Sequence, residues 1–230
     1  MTDIANSADA DVRAPRHKEW YSRGYIPHFD HADLVQMVTF RLADALPNHL
    51  LDQLGKTLKR ENDPKRRIQI EAYLDAGHGS CMHSDPRIGP MVEETLLHFD
   101  GVRYQLIEWV IMPNHVHLLA EFFAGSPLWE VLKTWKSFSA HEANRILGRS
   151  GQFWQEEYFD RFIRDTAHFE NARRYIRENP VKAGLLKQPE DWPYGSASWE
   201  SWERGRPRPP QKRQMQPQGP EETHGLKKTS

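Results

Sequence analysis

Two extended apolar segments meet across a two-residue turn, and nothing else in the chain constrains its fold as tightly. Residues 103–112 and 115–123 are dense in β-branched and large apolar side chains, and Pro113-Asn114 between them supplies turn chemistry. This spacing predicts an antiparallel hairpin near the centre of a sheet. On the second strand, His115 and His117 are separated by one residue, so a period of two points both imidazoles to one face and Val116 and Leu118 to the other. Two neutral imidazoles on one face can chelate a divalent ion, although a His-x-His pair on a strand also arises without any metal.

The surrounding chain supplies layers for such a sheet. Residues 34–42 mix β-branched residues with partial apolar alternation and read as a strand. Leu50, Leu51, Leu54 and Leu58, behind Pro47, form one helical stripe. Further helices are expected over 64–74, over 86–98 with Ile88, Val92 and Leu96 inward, and over 127–147 with Leu128, Val131, Leu132 and Trp135 on one side. The two glycines of 75–80 mark a loop, and an extended piece over 153–163 leads into a helix over 166–178. Asn179-Pro180 is expected to end that helix, because proline disfavours the α conformation of the residue before it.

Length and composition bound the rest. A chain of 230 residues holds one sizeable domain with tails. The expected division is a polar arm over 1–30, a catalytic domain over 31–200 and a tail over 201–230. Residues 204–230 carry seven Lys or Arg, two acids and five prolines, the composition of a basic disordered segment. No apolar run is long enough to span a membrane and the N-terminus has no signal-peptide core, so the expected location is the cytoplasm, with no membrane partner. The single cysteine, Cys81, excludes an internal disulfide and a multi-cysteine zinc site. His78 and His83 beside it match no strong ligand spacing and read as loop residues.

A net charge of −1 excludes a uniformly basic nucleic-acid coat but allows a local patch. Lys133, Lys136, Arg161, Arg164 and Arg177 are candidates to neutralise phosphates, and Trp154 or Phe159 to stack on bases; solvated or structural roles fit each one equally. In the helix over 166–178, Tyr175 and Asn179 are spaced i, i+4 and share a face. They are either a nucleophile and a polar ligand facing the histidine strand or ordinary members of an amphipathic helix.

The ordered blocks Met112-Pro113-Asn114-His115-Val116-His117, Trp154-Gln155, Phe159-Asp160-Arg161, Ile163-Arg164 and Tyr175-Ile176-Arg177-Glu178-Asn179-Pro180-Val181-Lys182-Ala183-Gly184 resemble the REP-associated tyrosine transposases. These belong to the single-tyrosine, His-hydrophobic-His transposases, and the resemblance spans about residues 30–199. It implies an α+β, ferredoxin-like domain with an antiparallel central sheet, His115 and His117 as metal ligands, Tyr175 as nucleophile and Asn179 as the further ligand. It also implies Mg²⁺ or Mn²⁺ as cofactor, hairpin-forming single-stranded DNA as substrate, a 5′-phosphotyrosine intermediate, and a monomer or homodimer. A hairpin-binding regulator that no longer cuts, and a phosphoesterase whose histidines activate water, are the alternatives from other classes.

Overall fold

A computed structural model describes residues 17–22, 27–32, 34–47 and 64–203. The helix expected behind Pro47 and the basic tail lie outside the described residues. Among these residues the main sheet is built from β3 (Val35–Arg41), β4 (Tyr104–Ile111), β5 (His115–Phe122) and β6 (Phe159–Phe162), in the order β4-β5-β3-β6 with every pair antiparallel. A short ribbon, β1 (Glu19–Ser22) with β2 (Pro27–Asp30), precedes it. The helices are α1 (Pro64–Asp75), α2 (Ile88–Leu97), α3 (Leu128–Leu147), α4 (Thr166–Lys182) and α5 (Ser196–Glu203).

Taken from β3 onward, the chain alternates strand, helices, hairpin, helix, strand, and the first strand lies between the third and the fourth. That is the ferredoxin-like arrangement, so the expected α+β class is the one observed. The β4–β5 hairpin turns at Pro113-Asn114 as the sequence predicts.

The two faces of the sheet carry different helices. Val38, Phe40, Val116, Leu118 and Ala120 join α2 and α3 in the larger core, where Ile88, Val92, Leu128 and Trp135 are buried against them. On the opposite face Met37, Val110, Met112 and Leu119 pack under Ala172 and Ile176 of α4. Period two therefore separates the apolar face under α2 and α3 from the face that carries the histidines. Each helix has a local reason to begin or end. Asp165 caps α4, its carboxylate accepting from the His168 N–H at 2.7 Å, and Gly148 ends α3 in the left-handed region at φ 60°.

One expectation changes. The helix that carries Tyr175 does not stop before Pro180 but runs on to Lys182. Proline removes a single donor there, and the last turn stays bonded through Ala183 N–H to Asn179 O at 2.9 Å and Leu185 N–H to Pro180 O at 3.0 Å. Asn179 thus keeps helical register with Tyr175. Within the polar arm, Glu19–Ser22 pairs with Pro27–Asp30. His28 of β2 is buried, bonds the Asp160 carboxylate through Nδ1 and stacks on Tyr158 at 4.1 Å, so the ribbon is fastened to the β6 edge.

Candidate active site

The site forms where the β4–β5 turn meets the end of α1 and the inner face of α4. Its rigidity starts in the turn. Leu42 N–H donates to Asn114 O at 2.8 Å, and Met112 N–H donates to His115 O at 2.8 Å. From the loop after α1, His83 donates through Nδ1 to Met112 O at 2.7 Å and through its backbone N–H to Pro113 O at 3.1 Å. His83 is fully buried, and desolvation lowers its pKa to about 4, so the ring is neutral. This residue, read from sequence as an ordinary loop histidine, holds the turn on which both candidate ligands stand.

Hydrogen bonds also fix the tautomers of the histidine pair. Asn114 donates its amide N–H to His78 O at 2.9 Å, which leaves its oxygen facing His115 Nδ1 at 2.7 Å. That oxygen can only accept, so His115 carries its proton on Nδ1 and presents the lone pair of Nε2. Thr39, paired with His117 across the sheet, places its hydroxyl 2.7 Å from His117 Nδ1 and can fix that ring in the same way. Both rings are completely buried, with centroids 4.6 Å apart. Burial, then the neighbouring His117 and His83 rings, then the Arg41 guanidinium hold the His115 pKa well below the ordinary histidine range. A neutral imidazole with a free Nε2 is the form that binds metals.

Three further side chains converge there. Tyr175 brings its hydroxyl to 3.4 Å from His117 Nε2, with the two rings edge to face at 5.2 Å. Asn179, one turn on, is fully buried and lies close enough to the Asp75 carboxylate and the His115 ring to shift both, lowering the first and raising the second. Asp75, the last residue of α1, has Oδ1 4.0 Å from His115 Nε2, beyond direct hydrogen-bond reach. Burial pushes the Asp75 carboxyl up to about 6, with Glu71 adding to the shift and Asn179 and Lys182 opposing it.

One ligand atom from each of Asp75, His115 and His117 lies within 4.8 Å of the others. Gathering this many buried polar groups in one place is costly unless something binds there, and Asn179 lies beside the same cluster. Two imidazole nitrogens, a carboxylate and an amide oxygen form a donor set that suits a divalent cation, so the residues present fit the metal that the resemblance implies. Asp75 was not legible as a site residue, since it enters from a helix end 40 residues away from His115 and belongs to no spaced motif.

The candidate DNA contacts separate into groups. Arg161 pairs with Met37 in the β3–β6 ladder and stands on the histidine face, while Arg164, just beyond it, and Lys133 on α3 are exposed. Lys133 borders a groove of about 360 Å³ between α3 and residues 151–158. Trp154 belongs to the core. It is 5% exposed, packs edge-on against Phe40 and donates to Ser139 at 2.8 Å, so its ring is not presented as a stacking surface. Lys136 donates to the carbonyls of Gln155 and Glu156 at 2.7 and 2.8 Å, and Arg177 faces the buried Glu108 carboxylate at 3.7 Å. No helix among the described residues is long and apolar enough to cross a membrane.

Comparison with known proteins places this constellation in context. Residues 89–179, from α2 to Asn179, match the family model described as Transposase IS200 like. A Haemophilus influenzae protein named for the REP-associated tyrosine transposases is 30% identical over 103 residues, 40% of this chain and 58% of the relative. The REP-associated tyrosine transposase of Escherichia coli K12 is 28% identical over 97 residues, 40% of this chain and 54% of the relative. The chain thus spans a little over half the length of these curated relatives. A solved structure of a REP-associated tyrosine transposase bound to a REP hairpin aligns with a TM-score of 0.48 and 18% identity, over 81% of this chain and 87% of that one. The resemblance read from the His115–His117 and Tyr175–Asn179 blocks is borne out: across residues 89–179 this chain is similar to the transposase IS200 like family, and its curated relatives are REP-associated tyrosine transposases.

Proposed function

We propose that this protein cuts and rejoins single-stranded DNA at hairpin-forming palindromic repeats, through a 5′-phosphotyrosine on Tyr175 and with Mg²⁺ or Mn²⁺ at His115, His117 and Asn179. The observation that carries this reading is the Tyr175 hydroxyl standing 3.4 Å from His117 Nε2, at the rim of a buried cluster of metal-ligating side chains. A nucleophile and a charge-neutralising site within a few ångströms of each other are what transfer of a phosphodiester requires. The choice of DNA hairpins as substrate rests on the resemblance to the named relatives.

The residues divide the work. Tyr175 Oη attacks phosphorus in line, its bond to phosphorus forms as the bond to the leaving 3′-oxygen breaks, and the DNA leaves with a free 3′-OH while its 5′-phosphate stays on the tyrosine. A 3′-OH from a second DNA end reverses the step, so the broken bond's energy is kept and no nucleotide is hydrolysed. Thr39 and Asn114 hold the imidazoles so that both Nε2 atoms face the reacting phosphate region. The divalent ion supplies positive charge that draws the phosphate into place and favours ionisation of a phenol whose unperturbed pKa is about 10. Arg161 and Arg164, on or beside the same face, fit backbone phosphates of the bound strand, and exposed Lys133 fits a more distant one.

The test is covalent trapping. Protein incubated with 3′-labelled hairpin DNA and Mn²⁺, then denatured, is expected to carry label on Tyr175. Cleavage with no label on protein supports water as nucleophile, and binding without cleavage supports a regulatory protein that recognises hairpins.

A further inference from the structure

We infer that Asp75 is a direct ligand of the divalent ion, so that the site is closed by an anionic oxygen from α1 as well as by β5 and α4. This rests on the metal-dependent reading proposed above and adds to it the residue that supplies the charge. Imidazoles that bind through their lone pairs and an amide oxygen are neutral donors, so a dication held by His115, His117 and Asn179 alone would have no charged ligand to compensate it. Asp75 is the carboxylate that the cluster contains.

The spacing has the signature of co-ligands and not of a hydrogen-bonded pair. Asp75 Oδ1 and His115 Nε2 stand 4.0 Å apart, too far for a hydrogen bond. Two ligands bound at about 2.1 Å to one octahedral ion stand about 3 to 4.2 Å apart, adjacent or opposite. Both atoms are buried, and the fully buried Asn179 amide lies beside them within reach of both. The backbone supports the placement, since the segment that follows Asp75 is tied to the histidine turn through His78 O to Asn114 and His83 to Met112. The same loop therefore fixes the carboxylate and the imidazoles relative to one another.

Mn²⁺ binding without DNA gives the first readout, followed by calorimetry or by electron paramagnetic resonance of the free ion. Asp75→Asn, nearly isosteric, is expected to weaken Mn²⁺ binding by about 30-fold or more while the apo protein keeps its circular dichroism. Wild-type affinity in that variant overturns the inference. A second readout detects contact directly. In a Cys81→Ser background, Asp75→Cys loaded with Cd²⁺ is expected to show the ultraviolet thiolate-to-cadmium charge-transfer band, which disappears when His115→Ala is added. Absence of the band in folded Asp75→Cys also overturns the inference. If wild-type protein binds no Mn²⁺, or binds it equally well after His117→Ala, the metal-dependent reading falls and takes this one with it. If wild type binds, His117→Ala does not, and Asp75→Asn binds normally, the assignment of Asp75 alone is wrong.

Discussion

The Tyr175 hydroxyl lies 3.4 Å from His117 Nε2, brought there by two elements that are 58 residues apart in sequence. Tyr175→Phe keeps the edge-to-face contact with the His117 ring and removes only the oxygen. Cleavage of hairpin DNA is expected to fall by at least about 10³-fold while DNA affinity changes less than about threefold. Gel assays of cleavage and of binding on the same preparation separate the two. A variant that still cleaves at the wild-type rate removes Tyr175 as the nucleophile.

Thr39 reaches the site only through His117 Nδ1, at 2.7 Å. Thr39→Val preserves shape and leaves the imidazole free to change tautomer and tilt. Mn²⁺ affinity is expected to drop about 10- to 100-fold, the usual cost of losing the group that orients a metal-binding histidine. Titration with Mn²⁺ at fixed pH measures this directly, and unchanged affinity would show that the ring is oriented by packing alone.

Glu108 fastens the tyrosine helix from its other side. Its buried carboxylate accepts from Arg173 Nε at 3.0 Å, faces Arg177 at 3.7 Å and accepts from the Ser196 hydroxyl. Arg173 and Arg177 lie two residues before and after Tyr175, so one acid ties α4 to β4 and to the start of α5. The arginines are partly solvated, which limits the energy at stake. Glu108→Ala is expected to destabilise the fold by about 1–3 kcal/mol in urea unfolding, mainly through the lost Ser196 and Arg173 bonds. A loss below about 0.5 kcal/mol would show that solvent replaces these contacts freely.

Acid should unfold the protein partly through His83. Its pKa is about 4 in the folded chain, against an ordinary value of 6.5, because burial disfavours the cation. Between these values the unfolded chain binds more protons, so stability rises with pH across this window and is lost as pH falls through it. The full difference amounts to about 3 kcal/mol. Asp75, raised to about 6, acts in the opposite sense between pH 4 and 6, and His115 acts in the same sense as His83. Comparison of wild type with His83→Asn isolates the single group: the variant is expected to lose less stability than wild type from pH 7 to pH 4.5. Equal losses would contradict a neutral buried His83.

The placement of residues that sit close in sequence was legible from simple periodicity. The alternation in 115–118 put both histidines on one face and Val116 and Leu118 in the larger core, and the four-residue spacing put Asn179 over the same region as Tyr175. The strand, hairpin and helices that frame the site followed from the same reasoning, because their hydrophobic periods reflect burial on one side. Trp154 shows the limit. Its neighbours suggested a stacking platform, but an indole beside Phe40 gains more from the core than from solvent, and no local pattern distinguishes the two fates. Pro180 shows another, since a helix tolerates proline near its end when the carbonyls of the last turn stay bonded.

By itself, then, the sequence determined which side chains share a face, which segments alternate between strand and helix, and the resemblance that pairs a histidine strand with a tyrosine helix. Only the tertiary structure decided that Asp75 stands across from His115, that His83 braces the Pro113-Asn114 turn and that Glu108 anchors α4 from behind. Periodicity is a property of one element and survives in the linear chain. Convergence of a helix end, a strand and a second helix depends on how the layers pack, and no spacing within a single segment records it.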